Sequence, residues 1–167
     1  MPYAHQDIQV IVDDTLNKLS GYATQTVAHN CAVTSAACVI YNLDTKRYWL
    51  SGGSLRIWTA VSGSGGSMGV YRKYINSHPK LNKVGDKFRS GDAELKILDD
   101  LMTIKNWKKN NLIIIKVSQE PCKACRHAIS NFAHKESQGV VAVCWPANSK
   151  LFGNVSKPAE ESKTGLV

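Results

Sequence analysis

No stretch of this 167-residue chain approaches the roughly 20 apolar residues that a membrane span needs; the longest apolar runs are about seven residues, a length suited to buried strands. Nor is there an apolar leader, because Met1 to Ser20 is polar and amphipathic. Internal repeats are absent, and low complexity is confined to one Gly/Ser stretch. Acidic residues are in deficit, 13 Asp and Glu against 21 Lys and Arg, a net charge of +8. That imbalance favours an acidic partner, of which nucleic acid is the commonest; a generically basic, solubilising surface is the plainer reading. The cysteines number five, which cannot all pair within one chain. A disulfide framework is thereby disfavoured, and a reducing compartment with one metal site fits better. With 43% hydrophobic and 20% charged residues, the chain is a folded globular one, not a disordered one.

What is present fits one domain over 1–167, with a core at about 5–146 and a peripheral tail at 147–167. His5 to Leu19 carries Ile8, Ile11, Val12, Thr15 and Leu16 on one helical face, and Gly21 ends it. Val33 to Asn42 reads as a strand, Leu43 to Lys46 as a turn and Arg47 to Leu50 as the antiparallel partner strand. Ser51 to Gly91 is irregular and glycine-rich, with Val70 to Ile75 as a short element inside it. Asp92 to Lys105 is the clearest helix, with an apolar stripe of Leu95, Ile97, Leu98, Leu101, Met102 and Ile104. Leu112 to Ser118 and Gly139 to Trp145 read as buried strands, joined by a helix from Cys122 to His134 that opens after Pro121. The order predicts an α/β fold: a three-layer α/β/α arrangement whose mixed sheet has an antiparallel first hairpin and parallel later strands.

Two helix starts carry the chemistry. Gly91-Asp92-Ala93-Glu94 opens one, Pro121-Cys122-Lys123-Ala124-Cys125 opens the next, and one strand lies between them. Cysteines at i and i+3 share a helix face, so both thiolates reach one Zn²⁺. A third ligand from the neighbouring helix leaves a fourth position open to water, as a catalytic zinc requires. Each piece also has a plainer reading. Asp92 suits a helix N-cap, Glu94 complements a helix dipole, and Cys122-x-x-Cys125 suits a thioredoxin-like redox pair. Cys31, Cys38 and Cys144 lack ligand spacing and are expected as free thiols.

The pair of motifs resembles the zinc-dependent cytidine and nucleic-acid deaminase superfamily, whose signature is H-x-E followed by P-C-x-x-C. The resemblance covers element order from about His5 to Trp145, and Val33-Thr34-Ser35-Ala36-Ala37 is similar to the small-residue first strand of cytidine deaminases. It implies a cytidine-deaminase-like fold, zinc on Cys122 and Cys125, and Glu94 as the proton shuttle. The departure is Asp92 where the family most often has His or Cys. Two thiolates and an Asp around Zn²⁺ sum to −1, the same as the three-thiolate version of the site. The resemblance leans towards bacterial toxin branches, where Asp stands at that position.

It further implies hydrolytic conversion of cytosine to uracil in single-stranded nucleic acid, DNA before RNA. The protein would be a monomer, either cytoplasmic or delivered into a target cell's cytoplasm as the toxin module of a larger secreted protein, and opposed by an immunity protein. Deamination of free nucleosides or nucleotides, deamination of adenine in RNA, and a non-catalytic zinc-stabilised binding module are the alternatives. His29 and Asn30, before the first strand, are candidates for sugar or phosphate contacts. Trp145 is a candidate for stacking at the pocket mouth, while core packing is the default for it and for Trp49, Trp58 and Trp107. The basic run that includes Arg72, Lys83, Lys87 and Arg89 leads into the Asp92 helix and is a candidate for holding a strand's backbone; a solvated loop is its plainer reading.

Overall fold

In chain order the elements are α1 (His5–Lys18), β1 (Thr26–Ala28), β2 (Cys31–Val33), β3 (Ser35–Asn42), β4 (Arg47–Tyr48), β5 (Leu50–Ser51), β6 (Ser54–Leu55), β7 (Trp58–Val61), α2 (Val70–Asn76), β8 (Lys83–Val84), β9 (Lys87–Phe88), α3 (Ala93–Leu101), β10 (Asn111–Val117), α4 (Lys123–Asn131), a one-turn π-helix (Phe132–Ser137), β11 (Val140–Trp145) and β12 (Asn148–Gly153). The computed structural model describes residues 2–24, 26–28, 31–63, 69–76, 83–84, 87–88, 92–104 and 107–157, with backbone alone at 26–28, 31–33, 74–76, 83–84 and 87–88.

The apolar runs form the middle of one mixed sheet, ordered β12-β11-β10-β3, with β4 and β7 sharing the outer edge of β3. β10 and β11 run parallel, Leu112 opposite Val140 through Lys116 opposite Cys144. The other pairings are antiparallel, including Tyr41 opposite Tyr48 in the first hairpin. Asn42 closes that hairpin's turn, its Oδ1 accepting the N–H groups of Asp44 and Thr45, each at 2.9 Å. Side chains alternate across the sheet, as a period of two demands. Ala36, Cys38, Ile40, Ile113, Ile115, Val117, Val141 and Val143 pack with α3, α4 and Tyr71 of α2. Val39, Leu112, Ile114, Val140, Ala142 and Cys144 pack with Ile8, Val12 and Leu19. Helices therefore cover both faces. Among the described residues no helix is long and apolar enough to cross a membrane.

Three expectations are corrected. The peripheral tail expected from 147 opens instead with β12, which pairs with the outer edge of β11 from Val140 opposite Gly153 to Trp145 opposite Asn148. An uncovered β11 would leave a row of backbone donors and acceptors unpaired. Alternation on β12 then sends Leu151 to the α1 layer and Phe152 to the α3–α4 layer. A second clasp joins the ends: Tyr3 N–H donates to Asn154 O at 3.0 Å, and Ser156 N–H to Tyr3 O at 2.8 Å. The irregular stretch Ser51 to Gly91 contributes β7 to the sheet, Ser35 opposite Val61 through Cys38 opposite Trp58. Finally, the two long helices break earlier than expected. α3 ends at Leu101, and α4 passes into the π-helix, which stops at Gln138 in a left-handed conformation (φ 53°).

Candidate metal centre

The parallel crossover from β10 through α4 brings the starts of α3 and α4 together. Asp92 takes the N-cap position of α3 in extended backbone (φ −65°, ψ 143°), yet its side chain makes no capping hydrogen bond. Its Oδ2 lies 3.0 Å from Cys125 Sγ and 3.6 Å from Cys122 Sγ, both thiols donating to it. Cys122 is the N-cap of α4, and its sulfur accepts the Cys125 N–H at 3.5 Å. The three ligand atoms lie within 4.8 Å of one another. The plain capping reading of Asp92 therefore accounts for its backbone but not for where its carboxylate sits.

Glu94 stands in the first turn of α3 and is buried, 4% exposed. Burial pushes its carboxyl up to about 7, with repulsion from Asp92 and Cys122 adding to the rise; its own backbone N–H and a bond with Cys125 pull the other way. The Cys125 thiol is held well above 9, first by its hydrogen bond with Cys122, then by burial and the neighbouring acids. Four acidic groups thus share one partly dry space and cannot all carry charge there alone.

A divalent cation would resolve that conflict. Tetrahedral zinc with bonds of about 2.3 Å to sulfur and 2.0–2.2 Å to oxygen separates its donors by roughly 3.5–3.8 Å, so the observed spacing needs only small side-chain adjustments. Two sulfurs and one carboxylate are donors that zinc accepts, and three protein ligands leave a position open. Asp92, Cys122 and Cys125 fit the metal; Glu94 stands beside them.

The candidate substrate residues are less uniformly placed. Trp145 ends β11, half-buried against the α3–α4 core, and lines a pocket of about 420 Å³ at the carboxyl ends of β10 and β11. Arg72 lies in α2 and is buried, 5% exposed, so it is not part of an open basic surface. Its charge, after burial, helps lower the Lys96 ammonium on α3. Lys83 and Lys87 lie on the β8–β9 hairpin, Lys83 opposite Phe88 and Val84 opposite Lys87. His29, Asn30 and Arg89 lie outside the described residues. Trp49 and Trp107 stack on each other at 6.2 Å, and both, like Trp58, pack against the core.

Sequence reasoning missed Lys116 and Ser118, which line the same pocket as Trp145. Lys116 Nζ donates to the carbonyls of Leu19 at 2.9 Å and Tyr22 at 2.8 Å, completing the end of α1. Ser118 Oγ accepts the Ser35 N–H at 2.9 Å. A lone lysine inside the apolar run Leu112 to Ser118 was the available signal. No protein-family model matches the chain, and no curated protein matches it by sequence.

Proposed function

We propose that the chain is a zinc-dependent hydrolytic deaminase that converts cytosine to uracil in single-stranded nucleic acid, DNA foremost. The observation that carries this reading is the Asp92 carboxylate turned away from its own helix end and onto Cys122 and Cys125, with buried Glu94 two residues on in the first turn. Those three groups would hold a zinc ion, which when bound would supply Lewis acidity that brings a water's pKa towards neutrality.

The chain's own residues do the rest. Glu94 accepts the proton of the attacking water and passes it to N3 of the ring. The water oxygen adds to C4, and Glu94 then carries the proton of the new C4 hydroxyl to the exocyclic amine, which leaves as ammonia as C4=O forms, giving uracil. Burial excludes bulk water from the exchange. Trp145, at the end of β11 and packed on the same core as Cys122 and Cys125, is the candidate to stack the base, because an indole face stacks any base.

A purely structural zinc would be closed by a fourth protein ligand and would have no use for Glu94. The resemblance to toxin branches extends the proposal to a delivered toxin module with an immunity protein as partner.

The test separates ligand from base. Asp92→Ala, Cys122→Ala and Cys125→Ala should each lose zinc and activity together. Glu94→Ala should keep one zinc per chain while turnover falls by about 10²–10⁴-fold. Full zinc in Cys122→Ala, by metal analysis, would remove the site; full zinc in Asp92→Ala alone would return Asp92 to a helix cap.

A further inference from the structure

The two sulfurs at the metal centre are placed for a second kind of chemistry. Cys122 sits at the N-cap of a nine-residue helix, and its sulfur lies over the Cys125 N–H at 3.5 Å. Both sulfurs contact the same carboxylate oxygen, at 3.6 and 3.0 Å, within a cluster no more than 4.8 Å across. Two cysteines three apart at a helix start have the spacing of a dithiol that can close on itself. They also differ in access: Cys122 is partly exposed, whereas Cys125 is fully buried behind it. An incoming oxidant meets Cys122 first and leaves Cys125 as the resolving thiol. Cys38 shares the α3–α4 core with Cys125 but is fully buried within β3, and Cys144 is buried on the other face of the sheet.

We propose that Cys122 and Cys125 form a reversible disulfide that empties the metal centre, making the site a redox-gated one. The gating rests on the metal reading above; the bond itself does not. With diamide as the oxidant, the Cys122 sulfur adds to its N=N bond. Cys125 sulfur then displaces the hydrazine nitrogen, forming S–S. The two sulfurs give up two electrons and water supplies two protons, so that diamide becomes the hydrazine. The zinc leaves as Zn²⁺, unchanged in oxidation state, because neither sulfur remains a thiolate and Asp92 alone cannot hold it. In an oxidising compartment the chain is closed and metal-free; a reducing cytosol reopens it to metal.

The experiment treats the zinc-loaded full chain with diamide under native conditions, in wild type and in Cys31→Ser. Released zinc is titrated with a chromogenic chelator and the thiol linkage is mapped by peptide mass. The expected result is one equivalent of zinc released per chain, a Cys122–Cys125 bond in both proteins, and recovery of zinc binding after dithiothreitol. Cys125→Ser should stop at an adduct on Cys122. Zinc retained with both thiols intact, or a bond from either cysteine to another partner, overturns the proposal while leaving the metal centre standing. A chain that closes the disulfide without ever having bound zinc overturns the metal reading and the gating with it.

Discussion

At the residue scale the chemistry depends on how few charges the site can hold without a cation. Glu94 makes this measurable in the metal-free protein. Its carboxyl is raised from 4.5 to about 7 by burial. Below pH 4.5 it is neutral in folded and unfolded chains alike, so it costs nothing. As pH rises from 4.5 to 7 the unfolded chain ionises first, and folding is progressively disfavoured; above 7 the loss is complete. The shift corresponds to about 3 kcal/mol of stability. Urea denaturation of the metal-free protein across that window should show stability falling with pH, and Glu94→Gln should flatten that part of the slope. Equal slopes in both proteins would mean that Glu94 ionises as readily folded as unfolded. The motif residues were legible because each breaks a local rule that another satisfies: an Asp and a Cys at two helix starts read as caps singly and as ligands only together. Lys116 was not legible as part of a pocket, because its partners, Leu19 and Tyr22, are about a hundred residues away in the chain.

At the scale of elements, the centre of the sheet was readable because β3, β10 and β11 are continuous apolar runs that only a doubly covered sheet can bury. The edge strands were not. β12 reads Asn-Ser-Lys-Leu-Phe-Gly, too polar to announce itself, and it is a strand because β11 has an edge to fill. β7 hides in the irregular stretch for the same reason. Two glycines show how closely β10, the start of β11 and the end of β12 are packed. A Cβ on Gly139 would lie 2.3 Å from Asn111 O, and one on Gly153, at φ +98°, would lie 2.3 Å from Gly139 O. Both obstacles are backbone atoms of the sheet, which cannot swing aside. Gly139→Ala should therefore destabilise the fold by on the order of 2 kcal/mol or more, read as a lower urea midpoint. An unchanged midpoint would mean that the start of β11 is looser than described.

At the scale of the whole molecule, the net charge of +8 is what the proposed strand partner would draw on. A phosphate chain uses such a charge far more fully than a single nucleoside does. Three phosphate contacts on a single strand would give a slope of about −2 in log K against log salt. Replacing Lys83, Lys87 and Arg89 together should reduce that slope and weaken strand binding, with the zinc content unchanged. Binding that ignores salt would assign the positive surface to solubility alone.

The central claim is that the Asp92, Cys122 and Cys125 centre, with Glu94 beside it, deaminates cytosine within a strand. The most direct measurement compares turnover of the zinc-loaded protein on a cytosine-containing single-stranded oligonucleotide, the same sequence as a duplex, and free cytidine, at equal base concentration, with zinc-loaded Glu94→Ala as the blank. The account predicts uracil in the single strand, much slower conversion in the duplex, hardly any from cytidine, and none from the variant. Comparable rates on cytidine and the single strand would move the activity to free nucleosides. An absence of uracil from every substrate, in protein carrying one zinc per chain, would contradict the account.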